Sequence, residues 1–373
     1  MKYASFGESH GKGLLATIDG FPAGLPIDVA AIDAELARRQ GGYGRGGRQK
    51  IEQDHVEILS GVLKNVTTGT PIAIWTKNRD YKIEQMPELT QPRPGHADLS
   101  GVMKYRTGIR PILERASARE TTARVAAGAL AGQLLARFGI RVTAYVIGIG
   151  PLNMEHPNVV ALSWDQRNAL RNASSVYSLC PEKDKEAEAL IDRCAAEGDT
   201  LGGIVEIMAD GLPFGLGSHT QWDRKLDARL AQAVMSVQAI KGVEFGLGFE
   251  SARRFGSQVH DEIAFDAARS QERSHGFVRP TNHAGGLEGG MTNTQPLVLR
   301  AAMKPIATLK KPLKSVDLHT KKPVEAAYER SDICAVSACS VVLEHAVALE
   351  LAAALLEKFG GDSIEEIEAS LKL

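Results

Sequence analysis

Two histidines lie in short polar runs that contain glycine, where proton transfer close to a ligand is favoured. His10 lies in the run 7–11 (GESHG), and His96 lies in the run 93–98 (RPGHAD). Glycine allows the backbone to approach a ligand closely, and imidazole gains or loses a proton near neutral pH. We therefore predict acid–base chemistry on a bound anion at both histidines. An exposed or purely structural histidine is the alternative at each position.

Arginines are concentrated near these runs and could supply the anion site. A phosphate carries about −1.5 to −2 charges near pH 7, and arginine binds it through two parallel hydrogen bonds. A helix start predicted at Ser117 would add backbone N–H groups that favour an anion. A solvated basic face and an RNA-binding arm are the alternatives. The arginines concerned are Arg38, Arg39, Arg45 and Arg48 in the first cluster and Arg106, Arg110, Arg115, Arg119 and Arg124 in the second.

Composition argues against nucleic acid and membrane as partners. The 373 residues carry 44 basic and 45 acidic side chains, a net charge of −1, so any anion site must be a local cluster. Only Tyr43 is aromatic in the arginine-glycine run, which weakens the RNA-binding alternative. The longest apolar stretch, 335–356, contains Glu344, His345 and Glu350. It therefore predicts a buried helix rather than a membrane span.

Several familiar motifs are missing from the sequence or lie in the wrong context. The run 42–47 (GYGRGG) has the spacing of a dinucleotide-binding loop, but a helix is predicted before it and none after it. The four cysteines form no C-x-x-C pair and no zinc-ligand spacing occurs, so neither a disulfide nor a metal site is predicted. Reduced cysteines and a polar N-terminal run, unlike a signal peptide, favour a cytoplasmic protein.

Hydrophobic periodicity predicts alternating strands and helices that carry these residues. A helix begins after Asp28 and ends at Arg39, and an Ala-rich helix runs from the capping box 117–120 to Phe138. A short helix begins at Ser363 with a second capping box. Strands are predicted within 51–75, 141–150 and 204–208, helices over 223–235 and 334–359, and long polar loops over 76–100 and 250–296.

Two pairs of segments are similar within the chain. The run 134–139 (LLARFG) resembles 355–360 (LLEKFG), and His96-Ala97 has a counterpart in His283-Ala284. Two halves of similar design would explain both similarities, whereas chance is the alternative because Ala-rich helix ends are common.

Eight runs taken together resemble the chorismate synthase family, and the resemblance spans nearly the whole chain. Each run is moderately specific by itself, while their number and order make coincidence a poor explanation. The runs are 7–11 (GESHG), 44–48 (GRGGR), 93–98 (RPGHAD), 116–121 (ASARET), 241–246 (KGVEFG), 282–286 (NHAGG), 304–308 (KPIAT) and 330–332 (RSD). Thr294 departs from the pattern, since the family commonly has glycine there.

The resemblance implies an activity, a fold and partners. The family is a group of lyases that convert 5-enolpyruvylshikimate 3-phosphate to chorismate by 1,4-anti elimination of phosphate, with reduced FMN and no net redox change. It implies an α+β fold, an internally duplicated β-α-β sandwich with helices packed between antiparallel sheets. The expected unit is a single domain, 1–373, with halves of roughly 1–200 and 201–373. A cytoplasmic homotetramer, NADPH as reductant source and, in some members, a separate flavin reductase are also implied.

Roles for individual residues follow from the resemblance by matching position. His10 would protonate the departing phosphate, His96 would stabilise or protonate the reduced flavin, and Asp332 would help to remove the C6 proton near flavin N5. Residues expected to bind substrate or NADP are Ser9, Arg39, Arg45, Arg48 and Arg119. Residues expected to bind flavin are Arg115, Ala116, Ser117, Gln238, Ala239, Gly289, Lys304, Pro305, Ile306, Ala307, Thr308 and Arg330.

Two other functions remain as alternatives at this point. A true flavin- or NADPH-dependent oxidoreductase acting on a phosphorylated anion would consume reductant in proportion to product. A non-enzymatic binder of phosphorylated anions or RNA would bind nucleic acid in a salt-sensitive manner and would tolerate the loss of His10.

Overall fold

Helices and antiparallel strands alternate along the chain and give the protein an α+β fold. The computed structural model describes residues 1–46, 53–329 and 331–371. The helices are α1 (Val29–Gln40), α2 (Asp98–Tyr105), α3 (Ile109–Ala116), α4 (Thr121–Arg137), α5 (Trp164–Ala173), α6 (Asp184–Glu197), α7 (Leu226–Met235), α8 (Val336–Phe359) and α9 (Ile364–Leu371). The strands are β1 (Lys2–Phe6), β2 (Gly13–Asp19), β3 (Val56–Ser60), β4 (Val62–Leu63), β5 (Val66–Thr67), β6 (Ile72–Lys77), β7 (Arg141–Ile149), β8 (Leu152–Asn153), β9 (Gly203–Asp210), β10 (Ile240–Phe245), β11 (Ala264–Phe265), β12 (Phe277–Val278), β13 (Leu287–Glu288), β14 (Met291–Thr292), β15 (Leu297–Met303), β16 (Lys314–Val316) and β17 (Pro323–Glu325).

The first sheet has the strand order β1-β2-β6-β3, and every neighbouring pair is antiparallel. Alternate residues of a strand point to the same face of a sheet. Leu14, Ala16 and Ile18 of β2 are buried, as are Ile72 and Ile74 of β6. This face therefore supplies one side of the hydrophobic core.

The second sheet has the order β10-β15-β9-β7-β8 and is also antiparallel throughout. Its central strands β7 and β9 are almost continuously buried because α8 covers one face and α5 packs against β7. Tyr145 and Met208 form a small separate cluster with Leu170 of α5. Burial on both faces explains why these strands lack the strict alternation of β2.

A layer of helices lies between the two sheets. Helix α4 packs on β2 and β6, α8 packs on β7 and β9, and α4 and α8 pack on each other. A Cβ atom at Gly128 would lie only 2.4 Å from Cβ of His345, so this close helix approach requires glycine. The two helices therefore join both sheets into a continuous core.

Helix α8 is, within the described part of the chain, the one helix that is long and apolar enough to cross a membrane. Most of it is buried against other parts of the protein, including Glu344 and His345. The prediction of a buried core helix over this stretch is therefore confirmed.

Local capping signals placed several helices accurately. Asp28 caps α1 by accepting from the backbone N–H of Ala31, and Glu366 and Ser363 form the reciprocal bonds expected before α9. The box predicted at 117–120 is wrong in one part. Ser117 does accept from the N–H of Arg119, but the Glu120 carboxylate binds other partners. Residues 118–120 form a 3-10 turn, and α4 begins only at Thr121.

Thr294, the residue that replaces a family glycine, has a left-handed backbone with φ of 72°. Residues with a Cβ atom are disfavoured in this region. The strain is local, because Thr294 lies in the turn between β14 and β15.

Candidate active site

The loop between β1 and β2 carries His10 and is held from beneath by one buried amide. The Nδ2 atom of Asn78, at the end of β6, donates to the carbonyl oxygens of Glu8, Ser9 and Gly11 at 3.1, 3.2 and 2.9 Å. Buried backbone carbonyls need such partners. Asn78 therefore fixes the path of the loop on both sides of His10.

A buried glutamate of α3 holds the His10 ring. The Glu114 carboxylate lies 3.0 Å from Nδ1 of His10 through each oxygen, and its Oε2 atom also accepts from the His10 backbone N–H at 2.8 Å. The Glu114 side chain has no exposed surface, whereas His10 retains 13% exposure. A carboxylate at Nδ1 selects the tautomer with the proton on Nδ1 and leaves Nε2 for a ligand.

Charges on both sides of His10 set the electrostatics of this loop. Burial opposes ionisation of Glu114, but the hydrogen bonds from His10 outweigh it and lower the pKa of the carboxyl. Arg110 lies 3.7 Å from the same carboxylate. On the opposite edge of the ring, Nε2 is 3.8 Å from Oδ2 of Asp80, which also pairs with Lys82 at 2.9 Å.

His96 is held within its own turn. Its Nδ1 atom lies 2.6 Å from Oδ1 of Asp98, and the Asp98 side chain is 1% exposed. The guanidinium of Arg93 binds the same carboxylate, through Nε at 2.8 Å and Nη2 at 3.1 Å. Burial would raise the pKa of Asp98, but its hydrogen bonds to His96 and Arg93 hold the pKa well below its usual range.

The His96 turn is tied to the loop 304–308. Nη1 of Arg93 donates to Oγ1 of Thr308 at 3.1 Å, and a Cβ atom at Gly95 would lie 3.9 Å from Nζ of Lys304. The backbone N–H of Lys304 donates to the carbonyl of Ala239 at 3.0 Å. Five residues predicted to bind flavin, 304–308, are thus adjacent to His96 and to Ala239.

A buried carboxylate joins two of the predicted substrate-binding arginines. Asp54 accepts from Nη2 of Arg39 at 3.0 Å and from Nη1 of Arg119 at 2.7 Å, and its side chain has no exposed surface. Arg119 also donates through Nε to Asn78 at 2.9 Å. Burial lowers the pKa of Arg39 to about 10. The charges of Arg119 and Arg45 act in the same direction, and that of Asp54 opposes them. The cluster therefore concentrates positive charge beside the His10 loop.

Asp332 lies next to this cluster. Its Oδ1 atom accepts from the backbone N–H of Gly46 at 2.6 Å, and Oδ2 is 3.4 Å from Nε of Arg45. Among the described residues, Nη1 of Arg45 and Nε of Arg39 are buried without a hydrogen-bond partner. Buried guanidinium donors without partners are costly, so they fit an anionic ligand at this place. Arg48 and Arg330 lie outside the described residues.

The remaining predicted flavin residues fall into two groups. Arg115 donates to the carbonyls of Ser5 and Gly7, and Ser117 donates to Oγ of Ser9 at 3.1 Å, so the segment that contains Ala116 borders the His10 loop. Gln238 donates to Glu120 at 3.0 Å. Gly289 lies in the turn between β13 and β14, where a Cβ atom would meet His219 and Met291. The described contacts of Gly289 are therefore separate from those of the two histidine loops.

Arg38 was expected in the anion cluster but belongs to a different network. It pairs with Glu35 on α1 and with Glu344 on α8, and Glu344 also binds Arg171 at 3.0 Å. Glu35, Glu344 and His345 could by spacing surround a metal ion. Two guanidinium groups already neutralise the carboxylates, so the network acts as a buried ion-pair cluster that joins α1 to α8.

Three residues that organise the site, Glu114, Asn78 and Asp54, are not indicated by any sequence motif. Glu114 and Arg110 are spaced like an ordinary helical ion pair, and this spacing concealed the contact of Glu114 with His10. Asn78 and Asp54 lie in polar segments without any periodic signal. Their roles depend on contacts that join distant parts of the chain.

Comparison with known proteins identifies the family of this chain. The family model described as chorismate synthase matches residues 1–356. This chain belongs to the chorismate synthase family. The chorismate synthase of Geobacter sulfurreducens is 54% identical over 98% of this chain and 96% of its own length, and that of Aquifex aeolicus is 50% identical over 99% and 96%. A crystal structure titled as chorismate synthase superposes with a TM-score of 0.81 at 43% identity, covering 100% of this chain and 96% of its own.

Membership of the chorismate synthase family establishes the activity. The chain is a lyase that forms chorismate, a step of the shikimate pathway, from a small-molecule substrate. The family implies a reduced flavin cofactor. The unpartnered donors of Arg39 and Arg45 fit the anionic groups that such a reaction requires.

Proposed function

We propose that this chain eliminates phosphate from 5-enolpyruvylshikimate 3-phosphate, with His10 as the general acid for the departing phosphate. The observation that carries the proposal is the position of His10, whose Nδ1 is bound by Glu114 while the side chain remains 13% exposed. Asn78 joins the His10 loop to Arg119 of the arginine cluster. Imidazole is suited to proton delivery near neutral pH. Its Nε2–H would donate the proton to the phosphate oxygen as the C–O bond breaks.

Binding of the substrate anions is assigned to Ser9, Arg39, Arg45, Arg48 and Arg119. The substrate carries a phosphate and two carboxylates, and the buried donors of Arg39 and Arg45 would be satisfied by them. Asp54 keeps Arg39 and Arg119 side by side, so their positions are fixed before the substrate arrives. We also propose that Arg39 and Arg45 contact NADPH when it serves as reductant source.

Flavin binding is assigned to Arg115, Ala116, Ser117, Gln238, Ala239, Gly289, Arg330 and the run 304–308. Reduced FMN held by these residues would supply transient electron donation to the substrate, with no net redox change expected. Burial and repulsion by Lys241 lower the pKa of Lys304, a state that a bound anion would relieve. His96, held by Asp98 beside this loop, is assigned to stabilise or protonate the reduced flavin.

Asp332 is assigned to help remove the C6 proton. Its carboxylate accepts from Gly46 N–H at 2.6 Å and lies 3.4 Å from Nε of Arg45, so the side chain is held in a defined orientation. Asp332→Asn should therefore lower turnover while binding of the substrate is retained.

Anaerobic turnover with sub-stoichiometric photoreduced FMN tests the reaction. Many phosphates released per flavin, with the flavin still reduced at the end, are expected. One phosphate or fewer per flavin, with oxidised flavin, would instead identify an oxidoreductase. Phosphate release with NADPH and oxidised FMN, in the absence of an added reductase, would show that the chain reduces its own flavin.

We further propose that the fold is an internally duplicated sandwich. The element series β1-β2-α1-β3-β6-α4 corresponds, one element to one, to the later series β7-β9-α7-β10-β15-α8. With this matching, the strand order β1-β2-β6-β3 of the first sheet corresponds to β7-β9-β15-β10 in the second. The similar runs LLARFG and LLEKFG both end the last helix of a repeat. This correspondence favours a boundary near residue 139 rather than near 200. Co-expressed fragments 1–138 and 139–373 should therefore reassemble better than 1–200 and 201–373.

A cytoplasmic homotetramer is also proposed, with support from the family alone. Light scattering of the purified protein should give four times the chain mass. A separate flavin reductase is required only if the NADPH experiment above yields no phosphate.

A further inference from the structure

A carboxylate outside the predicted site residues makes three close contacts with His10. Both oxygens of Glu114 lie 3.0 Å from Nδ1, and one of them accepts from the backbone N–H of the same histidine at 2.8 Å. A single carboxylate thus fixes both the main chain and the ring of His10. Such a dual contact leaves the ring little freedom to rotate away.

This contact joins two segments that are distant in the sequence, the His10 loop and helix α3. Glu114 lies 104 residues from His10, on the last turn of α3, and the backbone carbonyl of Glu114 also accepts from Ser9 N–H at 3.1 Å. The loop and the helix are therefore joined by side-chain and main-chain bonds together. Arg110, 3.7 Å away, is the nearest cation to the Glu114 carboxylate among the described ion pairs.

We propose that Glu114 is the positioning residue for His10, which it holds with Nδ1 protonated and with Nε2 directed away from the protein interior. This inference rests on the proposed role of His10 as general acid. Glu114 does not touch the substrate in this account, and it acts only through the imidazole. Among the described residues, the charged groups near the ring are Glu114 and Arg110 from α3 and Asp80 with Lys82 from the loop after β6.

The direction of the effect follows from the charges. A carboxylate at hydrogen-bond distance stabilises the protonated imidazole, so replacing it with an amide favours the neutral ring. The general acid must be protonated, and activity is therefore lost as pH rises through the His10 titration. In Glu114→Gln this loss should move to lower pH.

The test uses exchange of the ring Cε1 hydrogen with deuterium, followed by mass spectrometry of the His10 peptide in flavin-free protein. The midpoint of this exchange should move to lower pH in Glu114→Gln, because the carboxylate that contacts Nδ1 is removed. The basic limb of kcat against pH should move in the same direction, so that kcat is lower above the midpoint. Glu114→Asp keeps the charge at a greater distance and should recover part of both shifts.

Glu206→Gln is the matched control. Glu206 is also a buried carboxylate, but it bonds to Tyr145 on the second sheet and not to His10. Its replacement should leave the His10 midpoint unchanged. Circular dichroism and melting temperature establish that each variant is folded.

The outcomes separate this inference from the proposed function. An unchanged His10 midpoint in folded Glu114→Gln overturns the inference, whatever the activity. A shifted midpoint with a kcat profile that does not follow it also overturns the positioning role in catalysis. Near-normal turnover of His10→Ala would overturn the proposed function, whereas the exchange measurement would still decide whether Glu114 controls the ring.

Discussion

His10 and His96 are held by the same chemistry but from different distances along the chain. Each Nδ1 atom faces a buried carboxylate, Glu114 for His10 and Asp98 for His96. The partner is 104 residues away in the first case and two residues away in the second. The His96 turn is therefore a local unit that a short peptide pattern can encode, whereas the His10 site exists only when α3 docks beside the loop.

The two sites also differ in how the carboxylate is neutralised. Asp98 is bound by the guanidinium of Arg93 at 2.8 Å, while the nearest guanidinium to Glu114, that of Arg110, is 3.7 Å away. The Asp98 carboxylate is shared between the guanidinium of Arg93 and the ring of His96. The Glu114 carboxylate makes its closest contacts with His10, as expected for a residue that orients this ring.

The largest expected effect is the loss of either histidine. His10→Ala and His96→Ala should each lower kcat by about 10²–10⁴-fold, the usual size of a general acid–base contribution. Steady-state phosphate release under anaerobic conditions measures this, and unchanged circular dichroism is the control. Near-normal turnover in both variants would remove the proposed chemistry.

Asp54→Asn tests a second long-range carboxylate, one that positions arginines instead of a histidine. It would leave Arg39 and Arg119 buried side by side without their shared anion, which should destabilise the protein by about 3–5 kcal/mol. Urea unfolding at pH 7 measures the loss. Added inorganic phosphate should restore part of the stability if these arginines form the anion site, and an equal response of wild type and variant to phosphate would argue against it.

Asp98→Asn tests the carboxylate of the His96 turn through the pH dependence of protein stability. Because the folded-state pKa of Asp98 is depressed, its contribution to stability is present above an unfolded pKa of about 3.9 and is lost as pH falls further. The variant should therefore be less stable at pH 7 by about 1–3 kcal/mol and should lose less on acidification. Parallel stability curves for wild type and variant between pH 6 and pH 3 would contradict this account.

The smallest expected effect concerns the link between the His96 turn and the loop 304–308. Thr308→Val removes the hydrogen bond from Arg93 and should cost about 1 kcal/mol of stability. Flavin titration followed by fluorescence should show weaker binding in the variant. Thr90→Val is the control, since it removes a hydrogen bond to Asp317 that does not involve the flavin residues; equal losses of flavin affinity in both variants would reject the link.

Local signals allowed much of this to be predicted. Asp28 and Ser363 placed the starts of α1 and α9, and glycine-flanked His96 was placed in a polar turn, as the structure has it. These features depend on residues within about four positions of each other. Capping and turn interactions between residues close in the chain can therefore be predicted from a single sequence.

Contacts between distant segments could not be predicted in the same way. Glu114 looked like half of a helical ion pair, and Arg38 looked like part of an anion cluster until Glu344, 306 residues away, proved to be its partner. Nothing in the spacing of Asp54 indicates that it lies between two arginines. The family resemblance named the arginines and histidines, while the roles of Glu114 and Asp54 depend on contacts that only the packing of the elements creates.

The central position of α8 has a consequence for how the protein is made. Helices α4 and α8 complete the core between both sheets, yet α8 begins only at Val336. During synthesis the apolar faces of both sheets and of α4 lack α8 as a packing partner, and they stay exposed until most of the chain has left the ribosome. Long-range contacts of this kind slow folding, and the exposed surfaces favour association with other chains. We expect the nascent polypeptide to depend on chaperones, and a stop codon before α8 to yield insoluble material rather than a smaller working enzyme.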